Sequence, residues 1–241
     1  MLIYRSVFLL IIPLVLSAFT HLWNPIGFRA LVSDEGHYMR RAMHVLGGLG
    51  PQESQTYYDH PFFGQIFLAA MFKIVGYPSS LNPTTDTHSL ESLYIVPRIL
   101  MGIMAVFDTF LIYKICIYQY NRRVAFIASA MFAVMPITWL TRNILLDCIL
   151  VPFLLSSILL AIYTNSKFVT FSRNNKFPKI MALSILSGVF LGIAIFTKIP
   201  AITAIPLVGF IIFENNKSWK KLAIWFVPVL LIPLIWPAYS V

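Results

Sequence analysis

Apolar residues run almost unbroken through eight stretches of this chain, and polar residues gather between them. The stretches lie at about Val7–Trp23, Pro61–Tyr77, Tyr94–Tyr118, Val124–Leu140, Cys148–Tyr163, Ile180–Thr197, Ile199–Phe213 and Leu222–Tyr239. Several approach or exceed the ~18–20 residues that a helix needs to cross a bilayer. Pro61–Tyr77 is the weakest, being short, opening with Pro and containing Gly64 and Lys73. If it does not cross, the four basic clusters around Arg5, Arg122–Arg123, Lys167–Lys179 and Lys217–Lys221 all share one side, as the preference for basic cytoplasmic loops requires. If it does cross, three of the four move to the other side. The pattern therefore predicts an all-α bundle of about seven transmembrane helices, with a cytoplasmic N-terminus and Pro61–Tyr77 lying on the outer surface.

Composition removes the soluble alternatives. Of the 241 residues, 59% are hydrophobic and only 11% charged, against roughly 25% charged in an ordinary soluble domain. Bulky Phe19, His21 and Trp23 stand where a signal peptide would carry a small-residue cleavage site, so the first stretch reads as an uncleaved span. The net charge of +9 needs no nucleic acid, because ten of the 18 cations fall in the cytoplasmic clusters and Lys114 lies near the inner end of the second span. The other seven, Arg29, Arg40, Arg41, Lys73, Arg98, Arg142 and Lys198, fall on the outer side among most of the carboxylates.

One module over 1–241 is predicted, with a long first outer loop at 24–93. Within that loop, Ser33-Asp34-Glu35 opens a helical pattern of Tyr38, Met39, Ala42, Met43 and Leu46, ended by Gly47-Gly48. Ser33 suits the N-cap and the acids suit the first turn. His37, Arg40, Arg41 and His44 make the other face polar, so the helix is expected to lie in the membrane interface. Asp34 and Glu35 are open to two readings: helix capping, or a general base whose basicity is raised by partial desolvation. Tyr57-Tyr58-Asp59-His60-Pro61 further along reads either as a rigid polar pocket or as an aromatic belt before an interfacial helix. No cofactor is called for. Asp34, His37, Asp59 and His60 are the set that could hold a divalent metal, although their spacing matches no zinc or calcium loop.

Three cations complete the outer picture. Arg142 and Asp147 flank a short turn, where they could pair with each other, reach headgroups, or bind a phosphate through the Arg fork. Lys198 sits in the tight Thr197-Lys198-Ile199-Pro200 turn and needs an anion, either a lipid phosphate or Asp147. Arg98, at the outer end of the second span, has the same reading. Asp108 falls near the middle of that span, as a functional group or as a hydrogen-bonded acid inside the bundle.

This ordered set resembles the GT-C class of membrane glycosyltransferases, most of all the dolichyl-phosphate-mannose protein mannosyltransferases and the bacterial aminoarabinose transferases. Asp34-Glu35 with Tyr38, then Tyr58-Asp59-His60-Pro61, Arg98, Arg142 with Leu145-Leu146-Asp147, Gly188, Gly192 and Thr197-Lys198 carry the likeness. The run Asp59-His60-Pro61-Phe62-Phe63-Gly64-Gln65 departs from the family's Asp-His-Pro-Pro-Leu-Gly-Lys in its second Pro and its Lys. The resemblance implies transfer of a sugar, mannose or a related hexose, from a polyprenyl-phosphate donor to a protein, lipid or glycan acceptor at the outer or luminal face, with inversion. It implies Asp34 as the base, with Glu35 and Asp147 in the catalytic set. Tyr58, Asp59, His60, Arg98, Arg142 and Lys198 would bind the substrate. It also implies that the chain corresponds to the N-terminal module of longer relatives. Membrane lipids and further subunits are the remaining expected partners. The competing reading is a non-catalytic transmembrane member of a larger assembly. A transporter would show paired repeats or broken helices at midplane, and neither is evident.

Overall fold

The computed structural model describes residues 2–27, 32–51, 60–77, 87–165 and 176–239. Among them every regular element is helical: α1 (Leu2–Leu22), α2 (Ser33–Leu46), α3 (Phe63–Val75), α4 (Thr87–Gln119), α5 (Arg122–Val134), α6 (Leu146–Tyr163), α7 (Lys176–Thr197), α8 (Ile205–Asn216), α9 (Trp219–Leu231) and α10 (Ile235–Tyr239). Short 3-10 segments at Pro136–Arg142 and Ile199–Ala204 follow α5 and precede α8.

The described helices pack into one bundle, and side-chain and close backbone contacts fix the relative directions of several of them. Thr109 on α4 donates to the Ser17 hydroxyl of α1 at 2.7 Å, and a Cβ at Gly102 would meet the His21 carbonyl at 2.6 Å, so α1 and α4 run antiparallel. Lys198 reaches Asp147 while Ser157 donates to the Ser187 carbonyl, which makes α6 and α7 antiparallel as well. Asn215 at the end of α8 donates to Ala161 O at the end of α6, so these two run parallel. The pairs Gly188–Trp225 and Gly192–Pro228 place α9 parallel to α7, with a built Cβ falling 2.3 Å and 2.6 Å from the facing backbone carbonyls. No residue larger than glycine fits at either position without moving α9.

Length and apolarity single out four helices able to cross a membrane, within Leu93–Gln119, Leu146–Tyr163, Lys179–Thr197 and Trp219–Tyr239. A fifth is reached if α5 and the following 3-10 segment count as one span, bent by 66°. The bend has a cause in the sequence. Pro136 offers no N–H to the preceding turn, and Met135 before it is extended, at φ −67° and ψ 127°. The expected seven requires the shorter apolar helices Phe8–Leu22 and Ile199–Asn215 to cross too.

The expected surface helix is α3. Its first turn packs on α6 and α7, where a Cβ at Gly64 would lie 2.4 Å from Leu146 and 3.5 Å from Thr197. Its other end returns to the start of α4, where the Tyr77 hydroxyl donates to Leu93 O at 2.9 Å. Both ends of α3 therefore stay at one end of the bundle. Burial pushes the Tyr77 hydroxyl well above its usual range, so it remains a donor at all ordinary pH. Between α2, α3, α4 and α6 lies an apolar core of Met39, Ala42, Leu68, Ala69, Phe72, Met101, Ile144 and Ile149, which fixes α2 over the bundle. Asp108 is fully buried in α4, and neither carboxylate oxygen has a hydrogen-bond partner among the described residues.

Candidate active site at the α2 end of the bundle

The first turn of α2 separates the two adjacent acids. Consecutive helical residues point roughly 100° apart, so one of the pair faces the bundle and the other faces out. Glu35 is fully buried and Asp34 is exposed. The helix starts one residue earlier than the capping pattern suggests: Val32 is the N-cap and Ser33 lies in the first turn, its hydroxyl 3.5 Å from Asp34 Oδ1. The capping acceptor is Glu35, whose Oε2 takes the Val32 N–H at 3.0 Å.

That carboxylate carries three further bonds. Arg98 Nε donates to Oε1 at 2.9 Å and Arg98 Nη2 to Oε2 at 2.6 Å, while the Ile144 N–H also donates to Oε1 at 2.9 Å. Arg98 Nη1 in turn donates to Pro25 O at 2.8 Å. One buried pair thus joins the segment after α1, the start of α2, the first half of α4 and the turn before α6. A planar guanidinium meeting a carboxylate through two bonds is the strongest form of such a pair, and the two backbone donors fill the remaining lone pairs.

Arg142 is also buried, and it does not meet Asp147. Its Nη2 donates to Trp23 O and, at 2.9 Å, to Asn24 O, so a cation sits on the two carbonyls that follow α1. Asp147 stands in the first turn of α6, where an acid is favoured by the helix dipole. Lys198 Nζ donates to Asp147 Oδ1 at 3.0 Å and to Oδ2 at 2.7 Å. Both ends of this pair are partly open, with 26% of the lysine side chain and 55% of the aspartate exposed. Of the two anions expected for Lys198, the structure supplies Asp147.

His60 is half-buried at the entry to α3, followed by Phe62, whose ring packs edge-on against Phe196 and Tyr239 at 4.9 and 5.1 Å. Tyr58 and Asp59 lie outside the described residues. Among the described residues no group of three His, Cys, Asp or Glu comes together to hold a metal ion. On the exposed face of α2, Arg40 donates to His37 Nδ1 at 3.1 Å. Arg41 is buried rather than on the open polar face expected from the periodicity.

Asp34, His60, Arg98, Arg142, Asp147 and Lys198 therefore all lie at the end of the bundle that carries α2. The opposite end carries Arg122, Arg123, Lys217, Lys220 and Lys221. Two of the expected substrate cations, Arg98 and Arg142, are bound up with the protein itself. Those partners were not visible in the sequence, since they lie 63 and 118 or more positions away.

Residues 59–240 match the family described as dolichyl-phosphate-mannose-protein mannosyltransferase. The chain belongs to this family. Its members' description implies a glycosyl transfer from a polyprenyl-phosphate sugar within the membrane, and the apolar helices make this mannosyltransferase-family chain an integral membrane protein. The match takes in His60, Arg98, Arg142, Asp147 and Lys198 and begins after α2, so Asp34 and Glu35 stand outside it. Compared with curated proteins, the chain has no match.

Proposed function

We propose that this chain transfers mannose or a related hexose from a polyprenyl-phosphate donor to an acceptor hydroxyl at the outer or luminal face, with inversion and with Asp34 as the base. The observation that carries the reading is the division of labour within the acidic pair. Glu35 has every lone pair engaged by Arg98, Val32 N and Ile144 N, whereas the Asp34 carboxylate is open to solvent on a helix that the same clasp holds rigidly. A base must be reachable by its substrate and fixed in place.

In this reading Asp34 takes the proton of the acceptor hydroxyl as the acceptor oxygen attacks the sugar's anomeric carbon. The bond from that carbon to the phosphate oxygen breaks, and the phosphate keeps the electron pair. Lys198 stabilises the charge that develops on the leaving group, with Tyr58, Asp59 and His60 as substrate-binding residues. Glu35, Arg98 and Arg142 act as positioning groups that hold α1, α2, α4 and the turn before α6 in register. The end carrying α2 faces out in this account, supported by the basic residues gathered at the other end.

The test is transfer from a labelled polyprenyl-phosphate mannose by the purified chain, with the product's anomeric configuration determined by NMR. Inverted product is expected. Retained configuration, or no transfer to either a peptide or a lipid acceptor, contradicts the proposal.

A further inference from the structure

The Lys198–Asp147 pair poses a problem for any anion brought to it. Two of the three ammonium N–H bonds are already spent on the two oxygens of one carboxylate, and the third has no partner among the described residues. A phosphate arriving at Lys198 meets a cation whose charge is already balanced. Both side chains are partly solvated and each stands at the mouth of a helix junction rather than inside the core. The pair can therefore open without leaving a buried charge behind.

We infer that Asp147 is a tethered counter-ion that competes with the phosphate for Lys198 and helps expel the product. This rests on the proposed function above, in which Lys198 meets the donor phosphate. The chemistry supplies the reason. Before transfer the phosphate is a diester with one negative charge. Transfer breaks the sugar–oxygen bond and leaves a monoester, which gains a second ionisation near pH 6. A lone fixed cation would therefore hold the spent polyprenyl phosphate more tightly than the fresh donor, and the enzyme would stall on its product. A carboxylate within 2.7 Å of the same ammonium opposes this, because it re-forms the internal pair as the monoester departs. The exposure of the pair keeps the effect modest, on the order of three- to fivefold in affinity.

The experiment measures binding of farnesyl phosphate to the full chain in detergent by calorimetry, beside its inhibition of sugar transfer. Asp147→Asn is expected to tighten farnesyl phosphate roughly three- to fivefold and to lower kcat while lowering the donor KM. Asp147→Ser is expected to do the same, which guards against one variant misfolding, and thermal unfolding of both checks this directly. Lys198→Met is expected to weaken binding and to abolish the effect of Asp147→Asn in the double variant. Unchanged or weaker binding in both folded Asp147 variants overturns the counter-ion role while leaving Lys198 as a phosphate ligand. Unchanged binding in Lys198→Met overturns the underlying placement of the phosphate.

Discussion

Glu35 and Arg98, 63 positions apart, form a fully buried pair in which the guanidinium meets both carboxylate oxygens, at 2.9 and 2.6 Å. Because Glu35 also accepts from Val32 N and Ile144 N, removing either side chain leaves several buried groups without partners. Breaking such a pair costs about 3–5 kcal/mol. Arg98→Ala and Glu35→Ala are each expected to lower the stability of the purified protein by that order. The double variant Glu35→Ala with Arg98→Ala is expected to lose less than the sum of the two. Denaturant or heat titration in detergent measures the coupling, and additive losses contradict the clasp.

Arg142 belongs to the same framework through the end of α1. Its donation to Trp23 O and Asn24 O means that Arg142→Ala strips a cation from just past the end of α1 and unpairs two part-buried carbonyls. A stability loss of about 1–3 kcal/mol is expected, with partial recovery in Arg142→Lys, which can still reach one carbonyl. Equilibrium unfolding of the two variants checks it. A variant that loses donor affinity with no loss of stability would instead assign Arg142 to the phosphate.

Gly188 and Gly192 let α7 and α9 touch backbone to backbone. Since a methyl at Gly188 would fall 2.3 Å from Trp225 O, Gly188→Ala must push α9 away. The expected cost is about 1–3 kcal/mol, and Gly188→Leu is expected to prevent stable folding. Both are read by thermal unfolding in detergent. Full tolerance of Gly188→Leu would mean that the helices do not approach this closely.

What the chain's pattern revealed and what it hid follow from the range of the interactions. The alternating apolar passes, the end of α2 at Gly47 and the return of α3 to its starting side all arise from composition and short-range chemistry, and each was legible. The kink at Met135–Pro136 was not, because the apolar run continues through it and hydropathy is blind to a missing N–H. Spacing already sets Glu35 on the apolar face of α2, three, four and seven positions before Tyr38, Met39 and Ala42, but it could not show that Arg98 and Arg142 are spent on Glu35 and on the carbonyls after α1. Those assignments depend on partners brought together by the fold. That Lys198 meets Asp147 likewise depends on the packing of α6 on α7.

Sidedness can be tested with introduced cysteines, since native Cys148 is buried and its thiol donates to Asn143 O at 3.1 Å. Leu49 and Tyr120 are 70% and 71% exposed near opposite ends of the bundle. With both native cysteines replaced by serine or alanine, Leu49→Cys is expected to react with an impermeant maleimide from the outer side alone. Tyr120→Cys is expected to react only after the membrane is opened. The reverse pattern would invert the topology and move Asp34 to the cytoplasm.

The most direct measurement is the rate of sugar transfer by the wild-type chain and by Asp34→Asn, at matched stability and saturating donor. Asn keeps the shape of the side chain and cannot accept the acceptor's proton. Loss of about 10²–10⁴-fold in kcat with unchanged thermal unfolding is the predicted result. An Asp34→Asn enzyme that turns over within a few-fold of wild type would contradict the account, and would show that the proton goes elsewhere.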